Sequence, residues 1–232
     1  MGFGRDLCMG ESGVITLEKV KENPYVKTFI RKGDVNLAAM GYTEHSFRHT
    51  NLVAAQARSI LLELGFEERE AELAAMAGYL HDIGNVVGRH NHEHIGAAIV
   101  FNILAEMGMP PEEIAVVISA IGNHDEGEGH PVNPASAAVI LADKSDVHRS
   151  RVRNKDFSTF DIHDRVNYAV VESVLQVDRV GGMVTLRLQI DDSISTVMEY
   201  FEIFLTRMIL CRRAAAFLDL TFSLVFNGAR IL

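Results

Sequence analysis

The sequence predicts a mainly α-helical protein with a small β-β-α-β subdomain at its C-terminal end. Up to about residue 150, apolar side chains recur every three or four positions, which is the period of amphipathic helices. Beyond residue 165, two short segments alternate between apolar and polar residues, as half-buried strands do. We therefore expect a helical domain over residues 1–150 and a small α+β subdomain over residues 151–232.

Caps and breakers divide the N-terminal part into successive helices. Pro24 fits the first turn of a helix, Gly41 and Gly65 fit helix ends, and Thr43 is a candidate N-cap. The glycine-rich residues 1–13 lack periodicity and predict a loose start. Helices are predicted over residues 15–22, 24–39, 43–64, 67–82, 92–107, 111–123 and 134–147.

The C-terminal part predicts two strands, a long helix and a third strand. Gly181-Gly182 separates the first two strands and favours a hairpin, and Asp191-Asp192-Ser193 supplies N-cap residues for the helix. A right-handed crossover places the third strand parallel to the second. The charged residues 148–165 predict a connection with one helical turn. The strands are expected over residues 168–177, 184–190 and 220–226, and the helix over 193–215.

Composition and charge argue against several classes of function. Of the 232 residues, 48% are apolar, which is enough for a large core, and the net charge is −9. An acidic chain is a poor candidate for nucleic-acid or membrane-surface binding, and no apolar run reaches the roughly 20 residues of a membrane helix. With no visible signal peptide, Cys8 and Cys211 predict free thiols in a reducing compartment. We therefore expect a cytoplasmic protein without nucleic-acid or membrane partners.

The predicted C-terminal subdomain is too small to cover both faces of its own sheet. An open sheet also leaves its edge strands unpaired. We expect this subdomain to pack on the helical domain or on a second copy of the chain, which favours a homodimer.

His81-Asp82 closes a predicted helix just before Gly84 and joins an imidazole to a carboxylate. Both groups bind divalent metals, and one carboxylate can bridge two ions through its two oxygen atoms. Asp143 lies in an apolar run, where an unpaired carboxylate is costly to bury. This mixture suits Fe, Mn or Zn and differs from the all-oxygen sets of Ca or Mg alone. The candidate metal ligands are His49, His81, Asp82, His94, His124 and Asp143.

Two of these histidines have close alternatives. His45 lies four residues before His49 and is predicted to share its helix face, and both His90 and His92 lie close to His94. A single histidine of this kind is more often structural than a ligand. The metal-site hypothesis therefore depends on the whole set.

The stretches that carry these residues resemble the HD-domain superfamily of metal-dependent phosphohydrolases. The resemblance covers about residues 44–150 and leaves the C-terminal subdomain uncovered. It implies an HD-domain helical bundle with the metal ions at its centre. The matching stretches are His49-Thr50-Asn51-Leu52-Val53-Ala54, Leu80-His81-Asp82-Ile83-Gly84, His94-Ile95-Gly96-Ala97, Ile121-Gly122-Asn123-His124-Asp125 and Leu141-Ala142-Asp143-Lys144-Ser145-Asp146.

Carried over by position, the resemblance implies one or two divalent ions, among Fe, Mn, Zn, Co and Mg. The stretch from His94 to Arg149 is especially similar to bacterial HD enzymes that cleave diadenosine tetraphosphate. The Gly-Tyr-Pro motif of cyclic-di-GMP phosphodiesterases is absent from the sequence. The first ion is expected at His49, His81, Asp82 and Asp143, and the second at Asp82, His94 and His124.

The activity that this resemblance implies is hydrolysis of a phosphoester or phosphoanhydride bond in a small phosphorylated substrate such as a nucleotide. The metal ions polarise the phosphoryl group and activate water. The expected catalytic residues are Asp82, Asp125 and His45, and the expected phosphate-binding residues are Lys144, Arg149 and Arg89. The alternative is a non-catalytic HD-fold module that binds a nucleotide or regulates a partner. A third hypothesis is a structural metal in a closed shell. The complete ligand set favours the enzyme.

Overall fold

The computed structural model describes residues 14–231, so the predicted loose start over residues 1–13 and the predicted free thiol of Cys8 lie outside it. Within this range the protein is mainly α-helical, as predicted, with a small sheet near the C-terminal end. The helices are α1 (Leu17–Glu22), α2 (Pro24–Ala39), α3 (Phe47–Leu64), α4 (Glu68–Leu80), α5 (His92–Glu106), α6 (Pro111–Gly122), α7 (Pro134–Ser145), α8 (Ile162–Ala169) and α9 (Val197–Phe217). Short 3₁₀ helices cover Ile83–Val86, Arg149–Arg151 and Phe157–Thr159.

The start of α3 differs from the prediction. The N-cap is Ser46, whose hydroxyl accepts a hydrogen bond from the amide of Arg48 at 3.2 Å, and not Thr43. His45 therefore precedes the helix, where its Nδ1 donates to the carbonyl oxygen of Thr43 at 2.7 Å. The expectation that His45 shares a helix face with His49 is wrong for this reason.

The sheet confirms the predicted order of elements. Its strands are β1 (Val170–Asp178), β2 (Met183–Ile190), β3 (Thr221–Phe226) and β4 (Ala229–Arg230), arranged in the order β1-β2-β3-β4. β1 and β2 form the predicted antiparallel hairpin, and β3 runs parallel to β2 after the crossover through α9. The short β4 pairs antiparallel with β3 and was not predicted.

Local capping also moves two helix boundaries in the C-terminal part. Asp161 accepts a hydrogen bond from the amide of Asp164 at 2.8 Å and starts α8 inside a segment that was predicted as a connection. Thr196 and Glu199 form a capping box, so α9 begins at Val197. The predicted cap around Asp191 instead forms a turn in which its carboxylate accepts from Ser193.

Buried apolar side chains of the helical and C-terminal parts belong to one hydrophobic cluster. α9 packs against α7, with Tyr200, Phe204 and Met208 buried on its inner side. The C-terminal part thus packs on the helical part of the same chain, as one of the two packing alternatives predicted. A homodimer stays a prediction. Among the described residues, no helix has the length and apolar character that a membrane span requires.

Candidate metal centre

Helix ends and inner helix faces bring six imidazole and carboxylate side chains together at the centre of the bundle. α3, α4 and α7 pack against one another, α4 also packs against α6, and the 3₁₀ turn that follows α4 packs against α5. Five of the six side chains belong to buried residues, and Asp143 is partly buried. They are His49 on α3, His81 and Asp82 after α4, His92 at the start of α5, His124 after α6 and Asp143 on α7.

Gly84 permits the close approach of α5 to the end of α4. A Cβ atom at this position would collide with the backbone carbonyl of His92 and lie 2.7 Å from the amide nitrogen of Gly96. Only a glycine leaves room for this contact between backbones. The glycine that follows His81-Asp82 in the sequence therefore brings the first turn of α5 against the cluster.

One half of the cluster contains His49, His81 and Asp143. The Nε2 atoms of His49 and His81 lie 3.2 Å apart. The Oδ1 atom of Asp143 lies 3.3 Å from the first and 3.6 Å from the second. Asp82 adds its Oδ2 atom, at 3.6 Å from His49 and 3.2 Å from His81. The ligand atoms of His49, His81 and Asp82 all lie within 4.8 Å of one another, and Asp143 forms a second such group with His81 and His124.

The other half contains His92 and His124. Their Nε2 atoms lie 3.1 Å apart, and the Oδ1 atom of Asp82 lies 3.3 Å from that of His92. Asp82 thus presents one oxygen to each half of the cluster. This is the arrangement expected of a carboxylate that bridges two ions.

The outer nitrogen of each clustered histidine is fixed by an acceptor. The Nδ1 atoms of His81, His92 and His124 donate to backbone carbonyl oxygens at 2.8, 3.0 and 2.7 Å. His49 donates instead to the Oδ2 atom of Asp146, at 2.7 Å. Such bonds orient each ring and direct its Nε2 atom inward. Asp146, the C-cap residue of α7, is a functional candidate that the sequence reasoning missed.

The distances within the cluster fit divalent metal ions. Ligand atoms at about 2.0–2.1 Å from one ion lie about 3.0–3.4 Å from each other. Both pairs of Nε2 atoms, at 3.1 and 3.2 Å, fall in this range. Nitrogen lone pairs that face each other attract a cation, which is a proton, a metal ion or, at His92, the guanidinium of Arg89 at 3.2 Å. The residues present therefore fit the metal ions that the sequence predicted.

The position of His94 corrects the predicted ligand set. Its side chain is 61% exposed and contacts Glu93 at 3.0 Å, whereas His92 is buried in the cluster. Because α5 begins at His92, the two residues differ by about 200° around the helix axis. Only one of them can face the centre, and the structure brings His92 there.

Charge and burial compete at the centre of the cluster. Burial lowers the pKa of His81, but Asp82 and Asp143 outweigh it and raise this pKa to about 10. Burial raises the pKa of Asp143, but Lys144 and His81 hold it well below its ordinary value. Burial together with His81 lowers the pKa of His124. At neutral pH without metal, His81 is therefore a cation among ionised carboxylates.

Alternating charges link the cluster to the C-terminal part. The Nζ atom of the buried Lys144 lies 2.6 Å from Asp143 and 2.7 Å from Glu126. Glu126 in turn accepts a hydrogen bond from the Nε atom of Arg207 on α9, at 2.9 Å. A cavity beside the cluster is the place where a substrate could bind, and Lys144 does not line it. This corrects the predicted role of Lys144 in phosphate binding. It neutralises two carboxylates instead.

A cavity of about 430 Å³ lies beside the cluster, between the helical part and the C-terminal part. Arg89 reaches it and lies 3.4 Å from Asp82 and 3.7 Å from Asp125. His45 also lines it, with its Nε2 atom 3.9 Å from the Oδ2 atom of Asp82. The charged and imidazole residues in its wall are His45, Arg89, Glu126, Arg151, Asp161, His163, Asp164 and Arg207.

The structure places Arg149 away from this cavity. Its guanidinium carbon lies 5.1 Å from the ring centroid of Tyr168, which is the geometry of a cation–π contact. The predicted role of Arg149 in phosphate binding is corrected accordingly. Arg151 and Arg207 line the cavity in its stead.

Comparison with known proteins agrees with this geometry. A family model described as HD domain matches residues 46–151, which include all six residues of the cluster. The chain contains an HD domain. This match is consistent with the superfamily of metal-dependent phosphohydrolases that the sequence motifs indicated.

Several curated proteins are similar to this chain in sequence. Ribonuclease Y of Campylobacter hominis is 33% identical over 151 residues, which cover 65% of this chain and 27% of that protein. Ribonuclease Y of Bacillus subtilis is 29% identical over 119 residues, which cover 51% and 22%. The protein MJ1020 of Methanocaldococcus jannaschii, whose name describes it as uncharacterized, is 29% identical over 202 residues, which cover 74% and 77%. The chain thus spans about a quarter of the length of the ribonucleases Y that it matches.

The exchange of His94 for His92 in the ligand set leads to a paired prediction. His92→Ala removes an inward-facing Nε2 atom and is expected to lose at least half of the bound metal, because ligand removal weakens metal affinity steeply. His94→Ala is the matched control and is expected to keep the wild-type content. Metal analysis of both purified variants measures this, and the opposite pattern would restore His94 as the ligand.

A pH prediction follows from the raised pKa of His81. In the metal-free protein, the attraction of protonated His81 to Asp82 and Asp143 stabilises the fold. This stabilisation is complete below the ordinary histidine pKa, about 6.5, and is lost as pH rises through about 10. Metal binding at pH 7.5 must displace this proton, so we expect release of about one proton per chain. Calorimetry of Mn²⁺ binding in buffers of different ionisation enthalpy measures the number. An enthalpy that is independent of the buffer would contradict the assignment.

Proposed function

We propose that this protein is a metal-dependent phosphohydrolase that cleaves a phosphoester or phosphoanhydride bond in a small phosphorylated substrate, such as a nucleotide. The observation that carries the proposal is the position of Asp82, which presents one oxygen to each pair of histidines. The two halves of the cluster lie beside a cavity that Arg89 lines. Inward-facing ligands next to an open space with a guanidinium group suit a substrate that carries phosphate.

In this proposal, the cluster residues hold one or two divalent ions. When bound, such ions supply Lewis-acid activation of the phosphoryl group and of water. The choice among Fe, Mn, Zn, Co and Mg belongs to the proposal and is tested with it. The residues proposed to hold the ions are His49, His81, Asp82, His92, His124 and Asp143.

The cavity residues have separate proposed roles. Arg89, fixed beside Asp82 and Asp125, binds phosphate oxygens of the substrate. Burial, opposed by Asp82, lowers the pKa of His45 well below its ordinary value, so its ring is neutral at pH 7. Since its Nδ1 donates to Thr43, its Nε2 atom is free to accept a proton from the attacking water. Asp125 supports the orientation of Arg89.

A second candidate substrate is RNA. The similarity to ribonuclease Y favours it, since that name describes a protein that acts on RNA phosphodiesters. Two observations favour a small substrate instead. The cavity is only about 430 Å³ and includes Glu126, Asp161 and Asp164 in its wall, and the whole chain has a net charge of −9. A surface that binds an RNA backbone is ordinarily basic.

Hydrolysis assays distinguish these proposals. Protein loaded with Mn²⁺, Fe²⁺, Co²⁺ or Mg²⁺ is supplied with p-nitrophenyl phosphate, nucleoside mono-, di- and triphosphates, diadenosine tetraphosphate and a short single-stranded RNA. We expect turnover of at least one small phosphate compound and none by chelator-treated protein. If RNA is cleaved and no small compound is, the proposed substrate is RNA and not a small phosphorylated compound. Binding of a nucleotide without turnover of any compound would favour the non-catalytic module.

A further inference from the structure

Arg207 reaches the cavity from the C-terminal part of the chain, which the family model does not cover. It projects from α9 and donates its Nε–H to the carboxylate of Glu126 at 2.9 Å. The ring of Phe204 lies against one face of the guanidinium, with 4.4 Å from its carbon to the ring centroid. One edge and one face of this group are therefore fixed by neighbours.

The two terminal nitrogens of Arg207 have no hydrogen-bond or ion-pair partner among residues 14–231. Arg151, in the same cavity wall, is different. Its three nitrogens all donate to the backbone carbonyl oxygens of Glu44 and Asp146, at 2.7 to 3.1 Å. Arg151 is therefore occupied by structural bonds, whereas Arg207, which also lines the cavity, keeps free N–H donors.

We propose that Arg207 binds an anionic phosphate oxygen of the substrate through its free edge. This inference rests on the proposed function, because it takes the substrate to carry phosphate. A guanidinium held by Glu126 and Phe204 is already oriented for bidentate binding, so little side-chain freedom is lost when the anion arrives. The C-terminal part thereby contributes a specificity-determining residue to a site whose metal ligands all lie in the HD domain.

The competing explanation is that Arg207 only fastens α9 to Glu126. This predicts that its replacement lowers stability without a selective effect on phosphate. The test therefore compares a phosphate-bearing probe with its uncharged counterpart. A suitable pair is the phosphonate analogue of adenosine monophosphate, in which a methylene replaces the bridging oxygen and blocks hydrolysis, and adenosine itself.

Calorimetry measures the Kd of both probes for Mn²⁺-loaded wild type, Arg207→Gln and Arg207→Lys. Arg213→Gln is the matched control, because Arg213 is exposed on the same helix. We expect Arg207→Gln to weaken the phosphonate at least about tenfold and to leave adenosine unchanged, since a charge-assisted hydrogen bond is lost. Arg207→Lys should recover part of the loss, and Arg213→Gln should match wild type. The content of Mn²⁺ should be equal in all four proteins.

The outcome is decided without turnover, so it is separate from the test of hydrolysis. A phosphonate Kd within twofold of wild type in Arg207→Gln overturns the inference, even if the enzyme hydrolyses phosphoesters. So does an equal weakening of both probes, or a wild type that does not bind the phosphonate. A selective loss supports it even if no compound is turned over.

Discussion

Asp82→Ala is expected to remove most of the bound metal and to lower kcat/KM by at least about 1,000-fold, or about 4 kcal/mol of transition-state stabilisation. Each oxygen of Asp82 faces a different pair of histidines, so the alanine variant loses a ligand in both halves of the cluster. Asp82→Asn tests the same point at nearly constant volume, because an amide offers one oxygen in place of two. Metal analysis and steady-state kinetics on the same samples measure both effects.

The matched control for this variant is Asp156→Ala, which removes an exposed carboxylate that does not belong to the cluster. It should retain the metal content and kcat/KM of wild type. If Asp82→Ala keeps its metal and more than a tenth of its activity, the carboxylate does not join the two halves. The division of the cluster into two metal positions would then be wrong.

Lys144→Met is expected to lower the stability of the metal-free protein by about 3–5 kcal/mol, since it removes the buried ammonium that contacts both Asp143 and Glu126 and leaves Glu126 with Arg207 alone. For a chain of this length the loss corresponds to a fall in Tm of roughly 6–20 °C. Thermal unfolding in the presence of a chelator measures it. Lys155→Met, at an exposed position, is the matched control and should unfold at the same Tm as wild type.

The pH dependence of this variant gives an independent check. In wild type, burial raises the pKa of Glu126, but Lys144 and Arg207 outweigh it and lower this pKa far below its ordinary value. The resulting stability is present above about pH 4.5 and is lost as pH falls further. In Lys144→Met this loss should be smaller, because Glu126 then pairs with Arg207 alone and its pKa is lowered less. A Tm within 2 °C of wild type, with an unchanged pH profile, would show that Lys144 has no such role.

The sequence predicts the helices, the sheet order and most of the cluster because these depend on local patterns. His81-Asp82 lies at a helix end marked by Gly84, and the period-two strands around residues 184 and 222 leave little ambiguity. The apolar surroundings of Asp143 indicate a buried carboxylate that needs a cation. These predictions agree with the structure because each pattern depends on the local environment of its own segment.

The error at His94 did not come from the start of α5, which lies at His92 as predicted. His94 was taken from the stretch that resembles the family, and which of the two histidines faces the cluster depends on how α5 packs on the 3₁₀ turn after α4. That contact between segments cannot be seen in the sequence. The error at His45 has a different cause, because there the predicted start of α3 lay before its N-cap, Ser46.

The roles of Asp146 and Arg207 required contacts between distant segments. Asp146 meets His49 across 97 positions of the chain, and Arg207 meets Glu126 across 81. The spacing of Asp143 and Asp146 indicated a shared face, which could have suggested the contact of Asp146. No local signal pointed to Arg207, because its partner Glu126 lies in a loop of the HD domain and α9 lies outside it.

The central claim is tested most directly by the metal content of wild-type protein. The protein is purified without chelator, and the metal per chain is measured by inductively coupled plasma mass spectrometry. We expect one or two equivalents of a transition metal, either as purified or after incubation with Mn²⁺, Fe²⁺, Co²⁺ or Zn²⁺ and desalting. A ligand of the native state also stabilises it, so the loaded protein should unfold at a higher Tm than the chelated one. If the protein retains none of these metals and its Tm does not change when they are added, the assignment of the cluster as a metal centre is contradicted.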